Sequence, residues 1–156
     1  DFSEMPALLA SFALGPVYGA AVCLIKNLVN ISATTTGGVG ELCNFLLGVL
    51  FVVPAGLIYR RHPSRKRALI GMIVGTLVMS LCSVLVNYFV VYPVYLLVMP
   101  EEAIVGMYSA IVPAADSILK GILIFNMPLT FVKGVLDAVI TFILYKRLSP
   151  VMKGRV

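Results

Sequence analysis

The sequence has few charged residues, no tryptophan and a single histidine. Charged residues make up 12% and hydrophobic residues 60% of its 156 positions, against about 25% and about 45–50% in typical soluble domains. This composition excludes an ordinary soluble domain and indicates an integral membrane protein. The histidine, His62, lies among basic residues, so no Ser–His or Cys–His catalytic pair is expected in the apolar segments.

Cysteines and phosphate-binding motifs are also scarce. Cys23, Cys43 and Cys82 lie in apolar stretches, which is typical of small hydrophobic packing residues rather than of a disulfide framework or a metal site. No glycine-rich loop with its lysine is present, so the chain is not expected to hydrolyse ATP. We therefore expect no metal, no cofactor and no enzyme activity, and any active transport would be energised by a partner or an ion gradient.

Positive charge is concentrated in two short clusters. One cluster consists of Arg60, Arg61, Arg65, Lys66 and Arg67, and the other of Lys146, Arg147, Lys153 and Arg155. Lysine and arginine in short loops mark the cytoplasmic side of a membrane protein, so both clusters and the C-terminus are predicted to be cytoplasmic. Because the charge flanks membrane segments, the net charge of +5 does not indicate a nucleic-acid partner.

Four apolar segments are long enough to span a bilayer, which predicts an all-α, polytopic transmembrane helical bundle. They are residues 5–30, 42–59, 68–92 and 118–145. Gly15-Pro16 is expected to divide the first segment into two short helices, giving five membrane segments and an outward N-terminus. If Gly15-Pro16 only kinks the helix, the N-terminus lies inside. The loops 31–41 and 93–116 are predicted to face outward.

Small residues recur where helices are expected to touch. Gly71 and Gly75 form a GxxxG pattern, which favours close packing between helices within the chain. Docking onto a partner membrane protein is the alternative interpretation.

Ionisable residues within apolar segments are costly, at about 2.5–3.5 kcal/mol or more near mid-bilayer, and are usually functional. Lys26 and Asn27 lie near the outer end of their segment, and Lys133 and Asp137 lie one helical turn apart. Two structural alternatives remain open. Lys26 could extend to the outer headgroups, and Lys133 and Asp137 could form a simple i,i+4 ion pair.

Further polar residues map to the same predicted outer side. The stretch before Lys133 contains Asn126, Pro128 and Thr130, which are expected to break the regular helix beside a stripe of polar side chains. A broken helix is tolerated at membrane depth only where it packs against protein or lines a water-filled cavity. The same membrane depth is predicted for Asn44, Asn87 and the loop 31–41, which is rich in hydroxyl groups and glycine. Three tyrosines also lie at this depth, and they could instead form an aromatic belt at the membrane interface: Tyr88, Tyr92 and Tyr95. Together they predict an outward pocket for a planar, polar small molecule.

Several stretches in order along the chain resemble the substrate-binding S components of energy-coupling-factor (ECF) vitamin transporters, and among them the riboflavin-binding type. These stretches are Asp1-Phe2-Ser3-Glu4-Met5-Pro6-Ala7-Leu8, Phe12-Ala13-Leu14-Gly15-Pro16, Leu24-Ile25-Lys26-Asn27-Leu28, Gly38-Val39-Gly40-Glu41-Leu42-Cys43-Asn44-Phe45, Leu85-Val86-Asn87-Tyr88-Phe89, Lys133-Gly134, and Leu144-Tyr145-Lys146-Arg147-Leu148-Ser149-Pro150. They cover nearly the whole chain.

The resemblance implies a single membrane-embedded substrate-binding domain over residues 1–156, with five of six expected helices. The chain opens without an initiator Met, and we expect its first helix to be missing. The resemblance also implies multi-pass insertion in the cell membrane, riboflavin as a transported ligand captured from outside, and docking onto a coupling module of one transmembrane subunit and two ATPases.

By the same resemblance, Asn87 and Lys133 would hydrogen-bond the flavin ring. The family pattern expects Pro-Phe-Asn just before that lysine, whereas this chain has Pro128-Leu129-Thr130, and a threonine cannot offer the paired donor and acceptor of an amide. The full set of predicted substrate-binding residues is Asn87, Lys133, Thr130, Asn126, Asn44, Lys26, Asn27 and Glu41.

Three other functions remain open. The nearest is an S component for another vitamin or for flavin mononucleotide, since two outward lysines could bind a phosphate or a carboxylate. An intramembrane enzyme is disfavoured by the single histidine and the lack of clustered acids. A structural membrane protein would bind no small molecule at all.

Overall fold

The computed structural model describes residues 2–35 and 37–152, and within these ranges the regular structure is helical throughout. The shorter helices are α1 (Glu4–Ala13), α2 (Pro16–Ile31) and α5 (Glu101–Ile111). α3 spans Val39–Arg61. α4 runs through Arg65–Val86, a π-helical stretch Asn87–Val91 and Tyr92–Tyr95, and α6 runs through Ile118–Gly121, a π-helical stretch Ile122–Asn126 and Met127–Met152. Asp1, Thr36, Lys153 and Arg155, which contributed to the predictions, lie outside the described residues.

The first apolar segment is a hairpin of two helices, as the Gly15-Pro16 pair predicts. Gly15 has a φ of 120°, a conformation that favours glycine, and Pro16 occupies the first turn of α2, where no intrahelical donor is needed. Close contact follows at Gly19, where an added Cβ would lie 2.6 Å from the Ser11 Cβ. The two helices therefore run back along each other, and Glu4 at the start of α1 lies beside Cys23 and Lys26 of α2.

Within residues 2–35 and 37–152, three helices are long and apolar enough to cross a membrane: Val39–Arg61, Arg65–Tyr95 and Ile118–Val151. The hairpin helices are shorter. At 1.5 Å per residue, the ten residues of α1 reach about 15 Å and the 16 of α2 about 24 Å, against a hydrocarbon core of about 30 Å. The helix count is thus roughly consistent with the five predicted segments, but the first two are too short to span the full thickness unaided.

Glycines allow α3 and α4 to pack backbone against backbone. An added Cβ at Gly71 would lie 2.7 Å from the Ala55 carbonyl oxygen, and one at Gly75 would lie 2.4 Å from the Phe51 carbonyl oxygen. The packing interpretation of the GxxxG pattern is therefore confirmed, because both glycines face a helix of the same chain.

The two ends of the bundle differ in chemistry. At one end, which we call the basic end, the Tyr59 and Tyr145 hydroxyls lie 2.9 Å apart and Phe12 packs on both rings, immediately beside the arginines and lysines of the two clusters. At the other, which we call the polar end, Glu4, Lys26 and Lys133 meet. The described residues of the two basic clusters thus share one end, as their spacing predicts.

Three details depart from the sequence prediction. The segment 93–116 was expected to be a loop, but it contains α5 between Pro100 and Pro113. The last helix continues beyond Tyr145 to Met152, with Pro150 inside it. Neither π-helical stretch was expected, because a one-residue change in hydrogen-bond register leaves no mark in an apolar run.

Candidate functional site

A buried carboxylate joins three helices at the polar end. Glu4, in the first turn of α1, is 1% exposed, and its Oε1 accepts hydrogen bonds from Lys26 Nζ of α2 at 2.6 Å and from Lys133 Nζ of α6 at 3.4 Å. Charge-assisted contacts of this kind are the strong class of hydrogen bond, and they compensate for removing the carboxylate from water.

Small neighbours make room for this carboxylate. The Cys23 thiol lies 3.6 Å from Glu4 Oε2, and Gly48 of α3 faces the same oxygen. An added Cβ at Gly48 would lie 2.7 Å from Glu4 Oε2 and 3.0 Å from Cys23 Sγ. Four helices therefore pack around one carboxylate, and this packing restricts the positions of the two lysine ammonium groups that contact it.

The contacts decide between the interpretations left open for the lysines. Lys26 Nζ donates to Glu4 and, at 2.7 Å, to the Ser3 hydroxyl, and its side chain is only 15% exposed. Extension of Lys26 to the headgroups is therefore wrong. The i,i+4 ion pair of Lys133 with Asp137 is also wrong, because Lys133 contacts Glu4 instead. Asp137 is fully buried, and neither of its carboxylate oxygens has a hydrogen-bonding partner among residues 2–35 and 37–152.

The structure places two of the predicted asparagines at the π-helical stretches of neighbouring helices. Asn87 begins the stretch in α4, is buried, and donates from Nδ2 to the Ser83 carbonyl oxygen at 2.7 Å. Asn126 ends the stretch in α6 and lies 3.4 Å from the Tyr92 hydroxyl. Short π-helical segments occur frequently at functional sites, because they redirect side chains that a regular helix would hold elsewhere.

Thr130 follows one turn after Asn126 and donates its hydroxyl hydrogen to the Asn126 carbonyl oxygen at 2.7 Å. Its hydroxyl oxygen keeps lone pairs to accept from a ligand, but this geometry commits its only donor. Thr130 can therefore accept a hydrogen bond from a ligand but not donate one, whereas the asparagine expected at this position could do both.

Asn27, Glu41 and Asn44 lie where α2 and α3 approach the connecting loop. Asn27 Nδ2 donates to the Cys23 carbonyl oxygen at 2.7 Å, and its Oδ1 is buried without a partner among the described residues. Thr34 donates to Glu41 at 2.8 Å and ties the loop to α3. A cavity of about 110 Å³ is lined by both Asn27 and Glu41. Asn44 is half-buried in the second turn of α3.

Aromatic side chains cover the same end between α4, α5 and α6. The rings of Tyr108 and Phe125 stack with centroids 5.4 Å apart, and Gly121 has no side chain to block the Tyr108 ring. Burial raises the pKa of the Tyr108 phenol. Of Tyr88, Tyr92 and Tyr95, Tyr92 is buried and only Tyr88 is exposed, so an interfacial belt does not account for Tyr92.

Sequence reasoning missed Glu4 and Gly48. Both lie in stretches that carry the family resemblance or adjoin it, but Glu4 reads as the acidic start of a helix and Gly48 as one small residue among many. Their role depends on contacts across up to 129 residues of sequence. The one available signal was the presence of Lys26 and Lys133 in apolar segments, because a lysine buried there requires an acidic partner.

Comparisons with known proteins bear on the family and the fold of this chain. The family model described as the substrate-specific component of ECF transporters matches residues 1–145. The riboflavin transporter RibU of Staphylococcus aureus is 36% identical over 98% of this chain and 76% of its own length. The riboflavin transporter FmnP of Bacillus subtilis is 31% identical over 96% and 76%. A solved structure of the S component of a bacterial ECF transporter has 35% identity and a TM-score of 0.74, covering 98% of this chain and 79% of that one.

Proposed function

Because this chain belongs to the family of substrate-specific components of ECF transporters, we propose that it binds riboflavin at the polar end for uptake into the cell. The observation that carries the proposal is its 36% identity, over 98% of the chain, to a riboflavin transporter. The chain is then a transport subunit rather than an enzyme, and riboflavin is its cargo rather than its cofactor.

The proposed site lies among α2, α3, α4 and α6 at the polar end. Lys133, Asn87 and Thr130 contact the polar edge of the flavin ring, with Asn126 supplying an amide one turn from Thr130. The ribityl hydroxyls meet Asn44, Asn27, Lys26 and Glu41. In support, the helix contacts bring the segments carrying these residues to one end, and Lys133 is 24% exposed on its side chain, so its ammonium is not sealed from a ligand.

We also propose the orientation of this site. The basic end carries arginines and lysines of both clusters, and lysine-rich and arginine-rich loops remain in the cytoplasm, so the C-terminus is cytoplasmic and the polar end faces outward. Family membership supports a partner ECF module, and we propose a transmembrane subunit with two ATPases. Residues 1–156 then act as one substrate-binding domain.

A riboflavin titration of the purified protein in detergent or lipid nanodiscs tests this function. Flavin fluorescence is the direct readout, since the chain has no tryptophan to report from its own side. We expect saturable quenching with one flavin per chain. A folded protein that leaves riboflavin fluorescence unchanged at every concentration would contradict the proposal.

Flavin mononucleotide is the second candidate ligand, because two lysines lie at the site. Competition with riboflavin in the same titration separates the two. If flavin mononucleotide is the preferred ligand, it should bind more tightly than riboflavin and lose affinity as salt rises, because its extra contacts are ionic.

A further inference from the structure

The two lysines that could bind an anionic ligand already hold an anion of the protein itself. Glu4 Oε1 is within hydrogen-bonding distance of both ammonium groups, and Lys26 makes a further hydrogen bond to Ser3. An ammonium has three donors, so Lys26 has committed two of them inside the protein.

Displacing Glu4 would be costly. The carboxylate is 1% exposed and cannot turn into water, and its second oxygen faces Gly48 and the Cys23 thiol, which offers only a weak hydrogen bond. A phosphate that took both lysines would leave Glu4 as a buried charge with no cation. Removing one partner of a buried pair is unfavourable for this reason.

The surrounding charges strengthen the argument. Asp137, buried one turn along α6 from Lys133, lies within electrostatic range of Glu4, Lys26 and Lys133. Two acidic side chains, Glu4 and Asp137, therefore already lie beside the two lysines, so a ligand phosphate would meet no excess of positive charge there. An uncharged ligand carries no such penalty, because it needs only hydrogen bonds from groups such as the Lys133 ammonium.

We propose that Glu4 is a specificity-determining residue that makes this site select an uncharged flavin over a phosphorylated one. The inference rests on the proposed function, since it concerns the same site. Glu4 acts through Lys26 and Lys133, as a built-in anion in the position where a ligand phosphate would otherwise bind. A residue of α1 that is absent from the predicted set of binding residues thereby determines the preference between riboflavin and flavin mononucleotide.

The test compares dissociation constants for flavin mononucleotide and riboflavin in the wild type, Glu4→Gln and Glu102→Gln. Glu102 lies exposed in α5, so its variant removes the same charge away from the lysines. We expect Glu4→Gln to lower the ratio of the two constants about tenfold in favour of the phosphorylated flavin, which corresponds to about 1.4 kcal/mol. Glu102→Gln should leave the ratio as in the wild type. The same ratio in Glu4→Gln as in the wild type would overturn the inference.

If Glu4→Gln does not fold, Lys26→Gln provides the test, and the ratio of dissociation constants should change in the opposite direction. It removes a cation and leaves Glu4 in place, so the ratio should rise; an unchanged or lower ratio would overturn the inference. The wild type separates this inference from the proposed function. If the wild type binds neither flavin, the proposed function fails, whereas riboflavin binding with an unaltered ratio refutes only the role of Glu4.

Discussion

The two ends of this bundle are built differently from the same small set of helices. At the basic end, regular helices pack through glycine and an aromatic cluster, and the Tyr59 and Tyr145 hydroxyls satisfy each other. At the polar end, charges are buried, two helices change register, and the amides of Asn27 and Asn87 bond to their own helices. Together with the proposed function, this difference predicts that stability and ligand recognition are separated along the bundle axis.

The largest expected effect comes from disturbing the close packing of α3 and α4. A Gly71→Leu substitution drives a side chain into the Ala55 backbone, which cannot rotate away, and we expect a loss of about 3 kcal/mol in stability. Thermal unfolding in detergent should show a Tm lower by roughly 5–10 °C. Protein that remains folded should bind riboflavin as the wild type does.

Gly106→Ala is the matched control for Gly71→Leu. Gly106 lies in α5 with nothing within 4 Å of an added Cβ, and alanine favours a helix, so its Tm should equal or exceed that of the wild type. A Gly71→Leu protein as stable as wild type would contradict the packing account.

The second prediction concerns the polar end. Lys133→Met removes a charged donor but keeps a flexible side chain of similar length, so we expect riboflavin affinity to fall about 10- to 100-fold. Fluorescence titration measures the change. Lys120→Met is the control, because Lys120 is exposed and pairs with Asp116 at 2.7 Å outside the proposed site. Equal loss in both variants would show that Lys133 has no specific role.

Tyr59→Phe provides a smaller effect at the basic end. It removes one hydroxyl and leaves the buried Tyr145 hydroxyl without its 2.9 Å partner, so stability should fall by about 1 kcal/mol. Riboflavin affinity should not change. A weakened affinity in this variant would mean that the two ends are coupled, contrary to the separation described above.

The smallest effect is expected at the exposed ion pair of Asp116 and Lys120. The Lys120 ammonium lowers the pKa of Asp116 below its usual 3.8, so any contribution of the pair is complete above that pH and is lost as the pH falls further. Both side chains are largely in water, where such pairs contribute little. Asp116→Asn should therefore show the wild-type Tm at pH 7, and a clear drop in a thermal scan would contradict this reading.

Much of the fold follows from local sequence. The lengths of the apolar segments predict the long helices. Gly15-Pro16 predicts the hairpin, because proline and a glycine with positive φ change the backbone direction locally. The basic clusters predict which helix ends lie together. α5 escaped prediction because its 11 residues lie between two prolines in a segment that also reads as a loop. The extension through Pro150 escaped because proline normally ends a helix.

The site was predictable in composition but not in its contacts. Lys26, Lys133 and the asparagines stand out because polar groups are rare in apolar segments. Their partners do not, because Glu4 reaches Lys133 only after α1 and α6 are packed together. Local patterns suggested Asp137 instead, one turn away, and the packed helices override that preference.

Ligand-induced thermal stabilisation, measured on the wild type, Lys133→Met and Gly71→Leu, tests the separation of the two ends most directly. A ligand that binds only the folded state at about 100 times its dissociation constant adds about 2.7 kcal/mol. We predict that riboflavin raises the Tm of the wild type and of Gly71→Leu, and that at the same concentration it raises the Tm of Lys133→Met far less. An equal rise in all three proteins, or no rise in the wild type, would contradict the account.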